Sequence, residues 1–295
     1  MSELDSIDFV KQMIKYEILI ENESVDYNNK KLWKEMDWEP SLLHYVDSRD
    51  MLFADIGNNG DYERKQEDYT NYLKISEPPE IYKKYLSNNY ISLPNVLKKT
   101  HMSITDVLLN RKTSRNFKDI KLSMENLSYI LFYGTYSARN IRKQLKENLE
   151  KDPALYSNSV FTSNEIYIAI LNVDGIEKGI YHYDMESHGL HELSLNKDLS
   201  NIDYYCYGQP EMKNAAAVFF ISANYEKYMW RYRHERAYRN LLIDVSQLAQ
   251  SLILATTSNN QKTFLTPALR DTELVNLFEL DPLKEDIRYL VAVGN

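Results

Sequence analysis

Apolar and polar positions alternate along this chain in two different ways, and the change falls near residue 90. Up to about Tyr90, Phe9, Met13, Ile14 and Ile18 recur at helical spacing in a background rich in Asn, Asp, Glu, Lys and Tyr, which predicts a helical N-terminal extension over 1–90. Asn58-Asn59-Gly60-Asp61 reads as a turn, Pro78-Pro79 as a break, and Leu93-Pro94 closes a short extended stretch of Tyr90, Ile91 and Ser92. Further along, Glu165 to Val173 has the β-branched and aromatic content of a buried strand. Asp174-Gly175 and Lys178-Gly179 punctuate the next stretch, and Ile180 to Asp184 reads as the hairpin partner. Two more strands are predicted at Ala217–Ser222 and Ile287–Gly294. Between them, Leu241, Leu242, Val245, Leu248, Ala249, Leu252 and Ile253 recur at helical spacing, predicting a long and thoroughly buried helix over Arg239–Thr257. Ser103 and Ser123 are candidate N-caps of two further helices. Hairpins joined by long helices make an α+β domain over 91–295, a mostly antiparallel sheet packed with long helices.

Composition narrows the partners. The 295 residues carry 43 acidic against 35 Lys and Arg side chains, a net charge of -8, with no extended basic tract. Phosphate-backbone binding needs such a tract, so nucleic acid is not an expected partner. The single Cys206 excludes an internal disulfide and leaves no cysteine cluster for a metal. No apolar run approaches membrane-spanning length and Met1-Ser2-Glu3-Leu4-Asp5 is acidic, so a soluble cytoplasmic protein without a membrane partner is expected.

Against this acidic background, Arg111-Lys112-Thr113-Ser114-Arg115-Asn116-Phe117 places three cations and two hydroxyls in five residues. Val107, Leu108 and Leu109 supply packing just before it, and Arg111 and Arg115 are spaced to project together from one face or turn. Two guanidiniums so placed hold a dianion, with a neighbouring hydroxyl as an added donor. A solvated basic turn is the alternative.

That heptapeptide resembles the Arg-Arg-Ser-x-Arg-x-Phe opening of the FMN-dependent nitroreductase superfamily, and later segments resemble its SagB-type branch, the dehydrogenases of thiazole/oxazole-modified peptide clusters. Ile176-Glu177-Lys178-Gly179-Ile180-Tyr181-His182-Tyr183-Asp184 is similar to the branch's gly-pro-gly-ile-tyr-his-tyr-asp hairpin. Arg236-Ala237-Tyr238-Arg239 resembles its Arg-Gly-Tyr-Arg before a long central helix, and the end of the chain resembles its closing helix and strand. The resemblance covers roughly 91–295. It implies a nitroreductase-like fold, an FMN site at a homodimer interface, and contact of Arg111, Lys112, Thr113 and Arg115 with the FMN phosphate and ribityl chain. Ser157 and Ser159 lie in the segment that stands for the family's Ser-Ala-Gly-Ala-Leu against the flavin ring. Gln250, on the central helix, reaches the ring or satisfies a neighbouring backbone group. Glycines of the family are missing at Ser157–Phe161 and at Thr256–Asn260.

The departure that bears on chemistry lies before Arg236. Azoline dehydrogenases of the branch carry a Lys-Tyr pair there, whereas this chain has Arg231-Tyr232, with a second candidate, Lys227-Tyr228, one turn earlier. Removing a ring proton calls for a base, and an arginine is a poor one. Tyr232 remains a competent proton donor for a reaction run in the reductive direction. The resemblance therefore leaves three readings. One is NAD(P)H-driven reduction of dehydroalanine or dehydrobutyrine in a ribosomal precursor peptide, giving D-amino acids as in lantibiotic biosynthesis. The second is azoline oxidation with Lys227 or Tyr232 as base, alongside other peptide-modifying enzymes. The third is a scaffold homologue without flavin. His182, His188 and His191 lack the companions of a metal site, and none is assigned.

Overall fold

The computed structural model describes residues 3–15, 25–49, 59–85, 89–95, 102–151 and 161–295. Contacts divide the chain into two units, Met1–Phe53 and Ala54–Asn295. Within the first, α1 (Glu3–Lys15), α2 (Val25–Glu35) and α3 (Glu39–Arg49) are helical, as the spacing predicts. Trp33 packs edge-on to Trp38 and stacks on Tyr45, with centroid separations of 5.9 and 6.2 Å.

The second unit opens with α4 (Asn59–Ile75). The turn expected at 58–61 is not there: residues 59–61 form the first turn of α4, and Asn58 lies outside the described residues. Small polar residues suit a helix start as well as a turn, which is why the pattern misleads. Residues 54–90, which composition groups with the extension, belong to this same unit.

Among the described residues, seven strands form one antiparallel sheet: β1 (Tyr90–Ser92), β2 (Ile166–Ile170), β3 (Gly179–Asp184), β4 (Gly189–Ser194), β5 (Ala217–Asn224), β6 (Lys262–Thr266) and β7 (Glu285–Gly294), in the order β1-β4-β3-β2-β5-β7-β6. The hairpin pairs Tyr167 with His182 and Ile170 with Gly179. Two strands carry no clear signal in the sequence. In β4, His191 and Glu192 interrupt the apolar run, and β6 is a short Lys-Thr-Phe-Leu-Thr edge. The central strands are buried on both faces, so they read as continuous apolar runs rather than alternations. Ile166, Ile168, Ile170, Phe219, Ile221, Val291 and Val293 face one core, while Tyr167, Ala169, Val218, Phe220, Leu290 and Ala292 face the other.

The first core is roofed by α6 (Met124–Gly134) and α9 (Arg236–Ser258). They cross where Gly134 lies against Leu252: a β-carbon there would meet the Leu252 Cα at 2.9 Å, so only glycine permits the approach. Ser103 caps α5 (Ile104–Asn110) in a reciprocal box with Asp106, and Ser123 caps α6, as expected. The second core lies under α10 (Asp271–Phe278) and a pair of single-turn segments around Ile202–Met212.

The central helix is not buried all round. Asp244, Val245, Leu248, Ala249, Leu252 and Ile253 face inward, whereas Leu242, Ile243, Gln247 and Gln250 are exposed. The remaining described helices, α7 (Tyr136–Leu149) and α8 (Tyr225–Arg231), close the end of the sheet where β5 finishes and β7 begins. A small cluster of Ile81, Leu145 and Trp230, with Tyr72 and Leu73, ties α4, α7 and α8 together there. No described helix is long and apolar enough to cross a membrane.

Candidate active site

The basic motif is an extended strap rather than a helical face. Arg111 ends α5 with extended backbone angles, Thr113 forms a parallel bridge to Thr263, and the Ser114 N–H donates to the Thr263 carbonyl at 2.6 Å. Of the apolar residues expected to anchor it, only Val107 is buried; Leu108 and Leu109 are exposed, since consecutive helical positions cannot share one face. The anchor is instead Phe117, buried against Gly294, where an added β-carbon would lie 2.9 Å from the ring. The strap carries Arg111, Lys112 and Arg115, and Lys262 joins it by donating to the Asn116 carbonyl at 3.3 Å. Among the described residues one carboxylate answers these four cations: Glu211, 2.6 Å from Arg115.

Beside the strap, Thr263 Oγ1, Gln261 Oε1 and Asn259 Nδ2 are buried without a hydrogen-bond partner among the described residues. The Thr256–Asn260 turn, which lacks the family's glycines, adopts a glycine-like conformation at Asn260, with φ of 57°. Asparagine tolerates that region better than most residues. Gln250 is exposed on α9. Ser157 and Ser159 lie outside the described residues; Phe161, which ends their segment, has φ of 60°.

The Arg231–Tyr232 group lies at the other end of α9. Tyr232 ends α8 and lines an open cleft of about 880 Å³ with Tyr225, Tyr228, Trp230, His234 and Arg288. The Arg231 guanidinium sits 3.5 Å above the Tyr69 ring and 5.4 Å from the Tyr232 ring centroid. Burial lowers its pKa to about 10, which still leaves it cationic at neutral pH. His234 faces Tyr232 with ring centroids 6.0 Å apart.

Lys227 is not in that cleft, and its expected service as a base does not fit its surroundings. It is buried, donating to Glu165 Oε1 at 3.1 Å and to the Ile81 carbonyl at 3.2 Å. Glu165 in turn accepts from Arg142 at 3.3 Å and from His182 Nε2 at 3.1 Å, and both Arg142 and Glu165 are only 1% exposed. Burial opposes ionisation of Glu165, but Arg142, Lys227 and His182 outweigh it and hold the carboxyl well below the usual range. For His182 burial prevails and lowers its pKa, so the neutral ring donates through Nε2. Sequence reasoning missed Arg142 and Glu165. Arg142 sits between Ala138 and Leu145 on the inward stripe of α7, and a lone cation on an apolar stripe is a readable sign of a buried partner.

Two features define a class: a doubly roofed antiparallel sheet, and a cationic strap in excess of its carboxylates, docked on the edge strand beside unpartnered polar atoms. Such a strap suits a ligand that carries a phosphate. Residues 108–295 match the model of the nitroreductase family, and the chain belongs to that family. It is 28% identical over 296 residues to the trifolitoxin operon protein TfxC of Rhizobium leguminosarum bv. trifolii, covering 97% of this chain and 80% of that one. It is 23% identical over 170 residues to the trifolitoxin-processing protein TfxB of the same organism, covering 56% and 45%. A crystal structure of a nitroreductase-type protein from Anabaena variabilis superposes with a TM-score of 0.59 at 22% identity, covering 84% of this chain and 49% of that one. That likeness concerns the fold.

Proposed function

We propose that this oxidoreductase binds FMN and uses NAD(P)H to reduce dehydroalanine or dehydrobutyrine residues in a ribosomally made precursor peptide. The observation that carries the reading is the division of labour on α8: Lys227 is consumed in a buried ion pair, while Tyr232 faces an aromatic-lined cleft with Arg231 beside it. A phenol donates a proton, and a neighbouring guanidinium stabilises the phenolate left behind. Azoline oxidation needs a base at that position, which neither residue supplies well. Relatives named for a toxin operon and for toxin processing agree with a peptide as substrate.

The cationic strap fits a phosphate monoester, which carries nearly two negative charges and wants several charged donors. Arg111, Lys112, Thr113 and Arg115 would hold it, with Arg115 turning from Glu211. The unpartnered Thr263, Gln261 and Asn259 atoms suit the polar remainder of such a group. FMN bound there supplies the hydride that the substrate's double bond accepts. This chain's own residues do the rest: the strap fixes the phosphate end, the aromatic cleft holds the peptide, and Tyr232 delivers the proton to the neighbouring carbon.

The strap docks on Thr263 in β6, which follows the C-terminus of α9, and Tyr232 precedes its N-terminus, so the 23 residues of α9 lie between them, roughly 34 Å at 1.5 Å per residue. A single chain therefore does not bring them together. Two copies packed with their α9 helices antiparallel do, and the exposed Tyr238, Leu242 and Ile243 give that face apolar surface. The proposed state is a cytoplasmic homodimer with the site shared between copies. The test is anaerobic: bleach bound flavin with NAD(P)H, then add a peptide containing dehydroalanine. Prompt reoxidation supports the reading; reoxidation absent here, together with flavin reduction by an azoline peptide, replaces it with azole formation.

A further inference from the structure

We infer that Tyr69 of α4 is a positioning residue for the proton transfer: its ring face holds the Arg231 guanidinium beside Tyr232, where the phenolate forms. The inference rests on the donor role proposed above for Tyr232.

Helix periodicity builds the platform. Tyr69, Tyr72 and Ser76 stand at i, i+3 and i+7, on one face of α4 and the turn that ends it, where the Ser76 N–H donates to the Tyr72 carbonyl at 2.9 Å. The end of α8 lies against that face. Arg231 Cζ is 3.5 Å from the Tyr69 ring centroid, and Arg233 Cζ is 3.9 Å from that of Tyr72. Between these two contacts, the Trp230 Nε1–H donates to Ser76 Oγ at 2.9 Å, and the indole meets Tyr72 edge-on at 6.4 Å. Tyr69 and Tyr72 brace each other edge-on at 6.0 Å, and Tyr69 is only 7% exposed, so packing fixes the ring. Arg231 and Arg233 are thus both pinned to α4, with Tyr232 between them at the cleft.

A ring face attracts a guanidinium through its quadrupole and leaves the cation's charge in place. That charge matters at one moment. When the Tyr232 O–H bond breaks and its proton goes to the substrate carbon, the electron pair stays on the phenol oxygen, and a cation already in position stabilises it without reorganising. Arg231 is half-buried, with its Cζ 5.4 Å from the Tyr232 ring centroid. A long, rotamer-rich side chain without its platform would spend less of its time there. The platform also comes from outside the family frame, because α4 precedes residues 108–295, the part that matches the nitroreductase model.

The test follows reduction of a synthetic peptide carrying one dehydroalanine by the FMN-loaded enzyme, in Tyr69→Leu, Tyr69→Phe, Arg231→Met, the double variant Tyr69→Leu/Arg231→Met, and Tyr232→Phe. Tyr69→Leu should lower kcat about tenfold with KM unchanged, and Tyr69→Phe, which keeps the ring face, should recover most of that loss. In the Arg231→Met background Tyr69→Leu should bring no further fall, because the platform then has no cation to hold. An undiminished kcat in Tyr69→Leu, or the same fall with Arg231 already removed, overturns the inference. Full reduction by Tyr232→Phe defeats the assignment of the donor instead. A readout that needs no substrate runs alongside, by nuclear magnetic resonance of the full chain with isotopically labelled arginine. The ring current of residue 69 should displace the Arg231 Nε–H signal in the wild type and in Tyr69→Phe, and Tyr69→Leu should return it towards the position of an arginine in water. A signal unmoved among the three proteins contradicts the contact itself.

Discussion

The two ends of α9 treat charge in opposite ways. At its C-terminal end four cations meet one carboxylate among the described residues, and three buried polar atoms are left unpartnered. At its N-terminal end Arg142, Lys227 and the neutral His182 all converge on Glu165 out of water, and a second carboxylate, Glu285, is saturated by Lys83, Tyr167 and Ser222. Burying an ion is expensive, so charges kept inside are paired, and charges left unpaired near the surface are available to a ligand. The difference separates a scaffold from a candidate binding surface. It also shows why Lys227, attractive as a base in sequence, belongs to the scaffold.

The largest effect should come from breaking the scaffold. Arg142→Met leaves Glu165 buried and short of its main partner, with an expected loss of about 3–5 kcal/mol in unfolding free energy by denaturant titration. Tyr232→Phe should instead leave stability intact and lower kcat by about a hundredfold or more in peptide reduction. The paired change Arg111→Ala with Arg115→Ala removes two charge-assisted contacts and should weaken FMN binding by about 3 kcal/mol, read by fluorescence titration, with no change in the melting midpoint. Smaller and opposite in sign is Asp244→Asn. Because the folded carboxyl is raised to about 6 from an ordinary 3.8, its ionisation costs nothing below pH 4, and the cost grows between 4 and 6 and is constant above. The variant should gain up to about 3 kcal/mol at pH 7 relative to its value at pH 4. A gain that is instead greatest in acid would show that the shift runs the other way.

Much of the scaffold was legible because it depends on local pattern. The strand and hairpin from Ile166 to Asp184, β5, β7, α9 and the Ser103 and Ser123 caps all follow from periodicity and turn chemistry. The α4 start and strands β4 and β6 did not, since their residues suit several conformations and tertiary pairing decides among them. At the candidate site, the strap's cations were readable from Arg111 to Arg115. Its attachment to Thr263 and Gly294 was not, because those partners lie 150 residues from Thr113 and 177 from Phe117. The ion network shares that difficulty, although Arg142 and Asp244 each left a trace as a charge on an apolar helical stripe. The spacing of Arg111 and Tyr232 was not readable either; the 23 residues of α9 put roughly 34 Å of helix between the two groups.

A site shared between two copies is the central claim, and mixed subunits test it. Arg111→Ala/Arg115→Ala and Tyr232→Phe copies, each inactive alone, are unfolded together, refolded, loaded with FMN and assayed for dehydroalanine reduction. A site shared between antiparallel copies gives each heterodimer one intact site, and the mixture should recover about a quarter of wild-type activity. No recovery, with heterodimers demonstrably formed, would place the whole site within one chain and contradict the account.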